Sequence, residues 1–417
     1  MNPRFIAGLL LLSAPLAAQM PVPATHPRVR AAMAAAGADS AWTLDQQISI
    51  CEIPAPPFKE RMRGLEFRRR LEALGLRNVR LDSVGNVIAE RPGTGKGPSV
   101  MLAGHLDTVF PEGTDVKVKR TGARLSAPGI ADDCRGLAVV LTVARAFQRA
   151  NVSTNGTVYF VGDVGEEGAG NLRGVRHLFE RELAGKIDYF VSIDEDDLGL
   201  ITRAVGSNRY RVAFKGPGGH SWGAFGTVNP IHALGRAIAA IAELRVPQSP
   251  KTTFSVGTVT GGTSVNAIPF EASAEVDLRS ESADALRELD AKVKSIFQAA
   301  LAAENARWGA GRDGKPALTL QIDTIGLRPA NNAQTARSTI VATAIAAGRA
   351  LGFTPSPQAA STDANLPLSL GIPAIVIGFG GRSGDSHSLT EWYEPSSTSA
   401  TGPQWAVLLV AALAGVR

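Results

Sequence analysis

Acidic residues and histidines recur directly after short apolar runs of this chain. The segment Gly104-His105-Leu106-Asp107 follows the apolar run Val100–Ala103. Alternate side chains of a strand point to the same side, so His105 and Asp107 would share one face. A histidine that ligates a metal usually has its second ring nitrogen held, and a neighbouring carboxylate can hold it. Taken alone, this pair fits a surface turn equally well.

Two pairs of adjacent acids occur in comparable places. Asp132 and Asp133 lie in a glycine-punctuated loop before an apolar helical stretch. They could cap that helix, or one of them could bind two cations. Glu166 and Glu167 lie in a Gly-Glu-Glu-Gly segment after the apolar run Thr157–Val161. Two adjacent carboxylates are costly to bury unless cations compensate them, and one could bind metal while the other transfers protons.

Asp194 and His387 complete this set. Asp194 ends the apolar run Tyr189–Ile193 and opens an acidic run, for which a solvated loop is the alternative. His387 lies in a Gly-Asp-Ser-His-Ser segment after the apolar run Ala374–Ile377. Carboxylates and imidazoles without thiolates suit zinc, manganese or cobalt in a hydrolytic site. Two such cations close together would activate water and polarise a carbonyl group.

The composition limits the kinds of protein that could hold such a site. The 417 residues are 44% hydrophobic and 19% charged, which is ordinary for a folded chain and excludes general disorder. Two cysteines are too few for a disulfide scaffold or a cysteine-rich metal module. The net charge of +5 is spread along the chain without a Lys/Arg cluster, so nucleic acid is not an expected partner.

The apolar runs alternate with helical patterns, which predicts an α/β fold with a mixed sheet flanked by helices. From Gly206 the order becomes strand, helix, two strands, helix and strand, which is typical of a ferredoxin-like α+β sandwich. The final apolar run, Trp405–Val416, is too short to cross a bilayer and predicts a buried helix. We therefore predict a catalytic domain over residues 20–205 and 325–417, interrupted by an insertion domain over 206–324.

The first 19 residues have the features of a secretory signal peptide. Arg4 gives a positive start, Phe5–Leu12 form an apolar core, and small residues up to Ala18 offer a cleavage site. A membrane anchor would need a longer unbroken apolar run, of roughly 18 residues. We therefore predict export to the periplasm or outside the cell, with no membrane span in the mature chain.

The motifs Gly-His-Leu-Asp-Thr-Val, Gly-Ile-Ala-Asp-Asp, Gly-Glu-Glu-Gly, Ile-Asp and a late Ser-His-Ser occur in this order. Together they resemble the di-zinc exopeptidase family of peptidase T, carboxypeptidase G and aminoacylase, over nearly the whole mature chain. The resemblance implies two Zn²⁺ per subunit, or Co²⁺ or Mn²⁺ instead, and a small peptide or N-acyl amino acid as substrate. The implied ligands are His105 and Asp194 for one metal, Glu167 and His387 for the other, and Asp132 for both.

The resemblance also implies roles for residues that bind no metal. Glu166 would be the general base, and Asp107 would orient the ring of His105. A cis peptide bond would follow Asp132. Members similar to peptidase T carry aspartate at the Asp194 position, which favours di- and tripeptides as substrates. The competing ligands in the same acidic run are Glu195 and Asp196.

Three residues of the insertion domain would complete the implied site. His220, in Gly-Pro-Gly-Gly-His-Ser-Trp, would reach the active site of a neighbouring subunit and stabilise the tetrahedral oxyanion. This role implies a homodimer formed through the insertion domain. Asn266 could bind the substrate backbone, and Arg279 could bind a substrate carboxylate. From the residues alone, a glycine-rich hairpin explains His220 and a surface ion pair explains Arg279.

The chain departs from the family beside the metal loop, where many relatives have lysine and this chain has Cys134. Cys51 lies at the end of an N-terminal helix, before a proline-rich loop that would border the same site. In an exported protein these two cysteines could form a disulfide.

The sequence therefore predicts an exported di-zinc metallopeptidase. An N-acyl amino acid deacylase with the same metals is the alternative, because both enzymes cleave an amide bond. A peptide-binding or scaffold protein on an inactive fold is less favoured, since every ligand position and the position of the base are filled.

Overall fold

A computed structural model gives the fold and describes residues 19–312, 314–331 and 333–417. Residues 1–18, and with them nearly all of the predicted signal peptide, lie outside this part. The helices are α1 (Pro27–Ala38), α2 (Ser40–Cys51), α3 (Arg61–Ala73), α4 (Cys134–Arg149), α5 (Arg173–His177), α6 (Pro230–Ala242), α7 (Ala283–Trp308), α8 (Thr339–Ala350), α9 (Asn365–Ser369) and α10 (Thr401–Ala414). Short helical turns of other types cover Gly168–Gly170 and Leu178–Glu182.

The strands alternate with these helices along the chain. They are β1 (Arg77–Leu81), β2 (Val87–Arg91), β3 (Val100–His105), β4 (Lys119–Thr121), β5 (Arg124–Ser126), β6 (Val158–Asp163), β7 (Tyr189–Glu195), β8 (Leu200–Ala204), β9 (Gly206–Lys215), β10 (Gly219–His220), β11 (Thr252–Gly261), β12 (Ala267–Ile268), β13 (Glu271–Ser280), β14 (Thr319–Arg328), β15 (Pro357–Ala360), β16 (Ala374–Gly378), β17 (Arg382–Gly384) and β18 (Trp392–Glu394).

The largest layer is an eight-stranded mixed sheet with the order β1-β2-β6-β3-β7-β16-β8-β15. Its central strands β6, β3, β7 and β16 are parallel to one another, whereas β2 and β8 pair with this group in the antiparallel sense. All six residues of β3 are buried. A strand covered on both faces reads as an unbroken apolar run, which is why the central strands were recognisable from sequence.

Helices cover both faces of this sheet. On one face α1–α4, α8 and α10 enclose a core that includes Phe67, Leu141 and Trp405. On the other face α5 and α9 cover a smaller core that includes Val175 and Leu366. The α/β fold class and the buried C-terminal helix are thus confirmed. Among the residues that the structure describes, no helix is both long enough and apolar enough to cross a membrane.

The middle of the chain forms a second, antiparallel sheet with the order β14-β9-β13-β11. Helices α6 and α7 pack on it around Phe214, Leu234 and Phe297. This arrangement is compatible with the predicted ferredoxin-like insertion. Strand β14 continues to Arg328, past the boundary predicted after residue 324. The domain boundaries themselves stay predictions.

A small sheet with the order β17-β18-β5-β4 joins two segments that are far apart in sequence. Strand β18 pairs with β5, so that Trp392 lies opposite Ser126 and Tyr393 opposite Leu125. Strands of three residues carry too little periodicity to be recognised from sequence. The small sheet places the loop between β17 and β18 beside the loop that follows β5.

Candidate metal centre

Five segments of the chain converge at one edge of the large sheet. Strand β3 ends at His105, and β7 has Asp194 as its penultimate residue. Asp132 precedes α4, Glu167 follows β6, and His387 lies between β17 and β18. Because parallel strands end at the same edge of a sheet, the side chains that follow them meet there.

Close packing fixes the start of α4 against β7. A Cβ atom on Gly136 would lie 1.9 Å from the carbonyl oxygen of Ile193, so only glycine fits there. Asp133 caps the helix, since its Oδ1 accepts the Gly136 N–H at 2.9 Å. Its Oδ2 accepts the backbone N–H of His105, also at 2.9 Å. The carboxylate of Asp133 thus ties the loop that carries Asp132 to the end of β3.

The carboxylate of Asp132 lies between two histidines. Its Oδ1 is 2.9 Å from His105 Nε2, and its Oδ2 is 3.1 Å from His387 Nε2. His387 Nε2 also lies 3.1 Å from Glu167 Oε1, and His105 Nε2 lies 3.8 Å from Asp194 Oδ1. The structure therefore brings the five predicted ligands together as two groups that share Asp132.

Within each of these two groups, the potential ligand atoms lie within 4.8 Å of one another. A third combination joins His105 with Glu166 and Glu167. The competing acids Glu195 and Asp196 belong to none of these combinations in the described residues. The peptide bond after Asp132 is cis, as the resemblance implied. The groups supply only imidazole and carboxylate, a donor set that fits two divalent cations of the zinc, manganese or cobalt type.

The pKa values of the proposed ligand side chains fit the binding of cations. Burial raises the pKa of Asp194 to about 8 and that of Glu167 to about 7. Hydrogen bonds with Asp132 and Glu167 raise the pKa of His387 to about 11. Burial alone would lower the pKa of His105, but its contacts with Asp132 and Asp194 raise it well above its ordinary value. Without cations, the cluster therefore retains protons at neutral pH.

Binding of cations should release these protons. A metal ligand must be deprotonated, so groups with a pKa above 7 lose a proton when the site is filled, and the apparent affinity for metal rises with pH. Calorimetric titration of chelator-treated protein with Zn²⁺ at pH 7, in two buffers of different ionisation enthalpy, should give at least about one proton released per chain. The His387→Ala variant should release fewer. An affinity for Zn²⁺ that is independent of pH between 6 and 8 would contradict this expectation.

The carboxylate of Asp107 holds the backbone of the glutamate loop. Its Oδ1 accepts the N–H groups of Gly165 at 2.7 Å and Glu166 at 3.1 Å, and its Oδ2 accepts the Glu167 N–H at 3.0 Å. His105 Nδ1 donates to the Asp107 carbonyl oxygen at 3.1 Å, whereas the carboxylate is 3.7 Å away. The Asp107 carbonyl oxygen thus makes the shorter contact with the imidazole ring, and the carboxylate remains within ion-pair distance of it. The role of the Asp107 carboxylate in orienting His105 stays a prediction.

Glu166 is held by Arg328, a residue that no sequence pattern singled out. Arg328 Nη1 donates to Glu166 Oε1 at 2.9 Å, and Nη2 donates to the Glu166 carbonyl oxygen. Both residues are 5% exposed. Arg328 ends β14, so the second sheet contributes this contact to the glutamate loop. The guanidinium group fixes the direction in which the Glu166 carboxylate points.

The three predicted residues of the insertion domain do not join the metal ligands in the described structure. His220 lies opposite Ala267 in the ladder of β10 and β12, which makes Asn266 its neighbour, and both side chains are exposed. Arg279 Nε donates to Asp277 Oδ2 at 2.6 Å, the surface ion pair that was the alternative interpretation. The roles of these residues toward substrate stay predictions.

The structure does not contain the disulfide considered between Cys51 and Cys134. Both are free thiols and fully buried. Cys51 Sγ donates to the Pro128 carbonyl oxygen at 3.6 Å. Burial raises the pKa of Cys51 well above its ordinary value, which keeps this thiol protonated. The expectation is therefore corrected to a pair of thiols beside the metal loop.

Fold and site together define a metal-dependent hydrolase of the peptidase and amidohydrolase class. Residues 101–409 match the profile of peptidase family M20/M25/M40, and the chain belongs to this family. It is 30% identical over 279 residues to the succinyl-diaminopimelate desuccinylase of Nitrosospira multiformis, which covers 61% of this chain and 72% of that protein. It is 27% identical over 214 residues to a protein named probable carboxypeptidase of Ajellomyces dermatitidis, covering 46% and 48% of the two chains.

Solved structures show the same fold. Aminopeptidase PepT from Bacillus cereus aligns with a TM-score of 0.72 and 22% identity, covering 90% of this chain and 99% of that one. The Bacillus subtilis protein YXEP is described as a dinuclear metal-binding peptidase of the M20 family. It aligns with a TM-score of 0.66 and 18% identity, covering 90% of this chain and 99% of that one. The predicted family, fold class and enzyme class are confirmed.

Proposed function

We propose that the protein is an exported exopeptidase that uses two divalent cations, Zn²⁺ first among them, to hydrolyse amide bonds of small peptides. The observation that carries this proposal is the position of Asp132, whose two carboxylate oxygens face two different histidines. A carboxylate placed in this way could be shared by two divalent cations. The residues that would hold the cations are His105 and Asp194 on one side, Glu167 and His387 on the other, and Asp132 between them.

Glu166 would act as the general base. It takes a proton from the attacking water and returns it to the leaving amine. The cations, when bound, lower the pKa of water and polarise the scissile carbonyl group. Arg328 holds the Glu166 side chain and Asp107 holds its backbone N–H. The base is therefore oriented before the substrate arrives, which reduces the entropic cost of reaching the transition state.

His220 is suited to donate a hydrogen bond to the oxyanion. The N–H groups of Trp222 and Gly223 donate to His220 Nδ1 at 3.2 and 3.3 Å. Because Nδ1 is the acceptor, the proton of the neutral ring lies on Nε2, which can donate to a negatively charged oxygen. His220 is exposed and outside the ligand cluster. This role is therefore assigned to a site in a second subunit, and we propose a homodimer formed through the insertion domain.

Deacylation of N-acyl amino acids is the second candidate. The observation that favours it is the 30% identity with a succinyl-diaminopimelate desuccinylase. Both candidates cleave an amide bond with the same base and the same cations. They differ in the groups on either side of that bond, and therefore in the residues that bind them.

A substrate panel separates the two candidates. Protein loaded with Zn²⁺, Co²⁺ or Mn²⁺ is incubated with dipeptides, tripeptides, and N-acetyl and N-succinyl amino acids. We expect kcat/KM on the best peptide to exceed that on the best N-acyl amino acid by at least about 10-fold, which is about 1.4 kcal/mol in transition-state binding. The reverse order would establish the deacylase. Hydrolysis of neither class by metal-loaded protein would contradict both, and Glu166→Ala protein from the same purification controls for contaminating peptidases.

A further inference from the structure

Glu391 is a buried acid that neither the proposed ligand set nor the proposed proton transfer uses. It is 0% exposed and lies four residues after His387, in the loop that leads to β18. Burial of an ionised carboxylate is costly unless hydrogen bonds or opposite charges compensate it. The contacts of Glu391 therefore indicate what this acid holds in place.

These contacts all lead to the loop of Asp132. Glu391 Oε1 accepts the backbone N–H of Ala131 at 2.8 Å and that of Asp132 at 3.0 Å. Its Oε2 accepts the Gly129 N–H at 3.0 Å, and its carbonyl oxygen accepts the Ala127 N–H at 3.1 Å. One residue thus takes up four backbone N–H groups of a loop that lies about 260 positions earlier in the chain.

We propose that Glu391 is a positioning residue for the dinuclear centre. It fixes the backbone at Asp132, so that the two carboxylate oxygens face His105 and His387 in the two groups that would hold the cations, and it does this from the loop that carries His387. The inference rests on the proposed function, because it takes Asp132 as the bridging ligand. Asp132 and His387, two proposed ligands of one cation, then both depend on the buried carboxylate of Glu391. A shift of either of their loops would displace both ligands.

The chemistry of the contact explains why an acid is needed. The loop presents only N–H donors, and an ionised carboxylate offers acceptors only. In a glutamine, the amide oxygen could still serve Ala131 and Asp132, but the NH₂ group would face the Gly129 N–H. Two cations in the neighbouring groups would also favour a negative charge at this position. Glu391→Gln therefore keeps the size of the side chain while it replaces one attraction by a repulsion.

Metal affinity tests this role separately from activity. Wild-type protein, Glu391→Gln and a matched control, Glu394→Gln, are depleted with a chelator and titrated with Zn²⁺ at buffered free concentrations, with bound metal measured by elemental analysis. Glu394 lies in the same segment but forms surface ion pairs with Arg124 and Arg382. Residues that orient metal ligands commonly contribute about 10–100-fold to affinity. We expect that shift for Glu391→Gln and less than about 2-fold for Glu394→Gln.

The effect of Glu391→Gln on kcat should result from its weaker binding of metal. Excess Zn²⁺ should restore much of the kcat of Glu391→Gln, with KM within about 2-fold of wild type, since the fully buried side chain of Glu391 is out of reach of a substrate. Should Glu391→Gln fail to fold, Glu391→Asp, which keeps the charge but withdraws it by one methylene, takes its place with the same expectation.

The possible results are distinguishable. A lower melting temperature with unchanged Zn²⁺ affinity would show a purely structural role and overturn the inference, as would an affinity equal to that of Glu394→Gln. A wild-type protein that binds no Zn²⁺, Co²⁺ or Mn²⁺ would instead overturn the proposed function. Two cations in wild type and weakened binding in Glu391→Gln support both.

Discussion

Replacement of Glu166 by glutamine should reduce kcat by about 10²–10⁴-fold or more while the metal content stays that of the wild type. Glu166 lies outside the two groups that share Asp132, so its loss removes proton transfer without removing a ligand of the proposed set. Glutamine keeps an oxygen for the bond from Arg328 Nη1, so the loop should keep its conformation. Steady-state kinetics on the best peptide gives kcat, and elemental analysis gives the metal content. Thermal unfolding shows whether the variant keeps the fold of the wild type.

Two further variants make this test specific. Glu166→Ala should lose turnover to a similar extent and retain its cations, and a fully active Glu166→Ala enzyme would refute the mechanism. Glu180→Gln is the control. Glu180 is an exposed glutamate in the helical turn Leu178–Glu182 that follows the Glu166 loop, and its replacement should leave kcat unchanged within about 2-fold. Loss of metal from Glu166→Gln would mean that Glu166 is a ligand, as the third combination with His105 and Glu167 allows.

Replacement of Asp132 by asparagine should remove both cations, whereas His387→Ala should remove only one. The reason is geometric, because Asp132 contributes to both groups and His387 to one. After dialysis against a weak chelator we expect about two cations per chain in the wild type, about one in His387→Ala and fewer than about one in Asp132→Asn. Elemental analysis gives the stoichiometry, and activity should be lost in both variants.

An exposed aspartate in the same loop as His387 provides the control for this experiment. Asp385 has φ 57°, a conformation that asparagine also tolerates, and belongs to none of the ligand groups of the described residues. Asp385→Asn should therefore keep both cations and full activity. If Asp132→Asn retained both cations, the two groups would not share a ligand, and the dinuclear assignment would be wrong.

Four of the five proposed metal ligands could be singled out from sequence because they lie at the end of a buried strand or directly before a buried helix. Apolar runs such as Val100–Ala103 mark central strands, and the ends of parallel strands meet at one edge of the sheet. Spacing could therefore place His105 and Asp194 at the ends of such strands, but it left a surface turn and a solvated acidic loop as alternatives, and the resemblance to a known family paired them as ligands. The resemblance to a known family then added Asp132 as the shared ligand, and the structure brings its oxygens to two histidines.

The residues that hold these ligands could not be predicted in the same way. Asp107, Asp133 and Glu391 are acids whose carboxylates accept backbone N–H groups of other loops, and nothing in their local sequence distinguishes this use from metal binding. Arg328 reaches Glu166 across 162 positions of the chain. Such contacts depend on how distant segments pack, which local periodicity and spacing do not encode.

The bond from the Glu391 carboxylate to the Asp132 loop has a consequence for the order in which the protein folds. Contacts between distant parts of a chain close large loops and therefore form late. A growing chain that has completed the second sheet already contains His105, Asp132, Glu167 and Asp194, but neither His387 nor the carboxylate that steadies Asp132. If the proposed dinuclear centre forms, its full occupancy by metal would wait until β18 has paired with β5, so folding of the C-terminal segment and maturation of the enzyme would be one event.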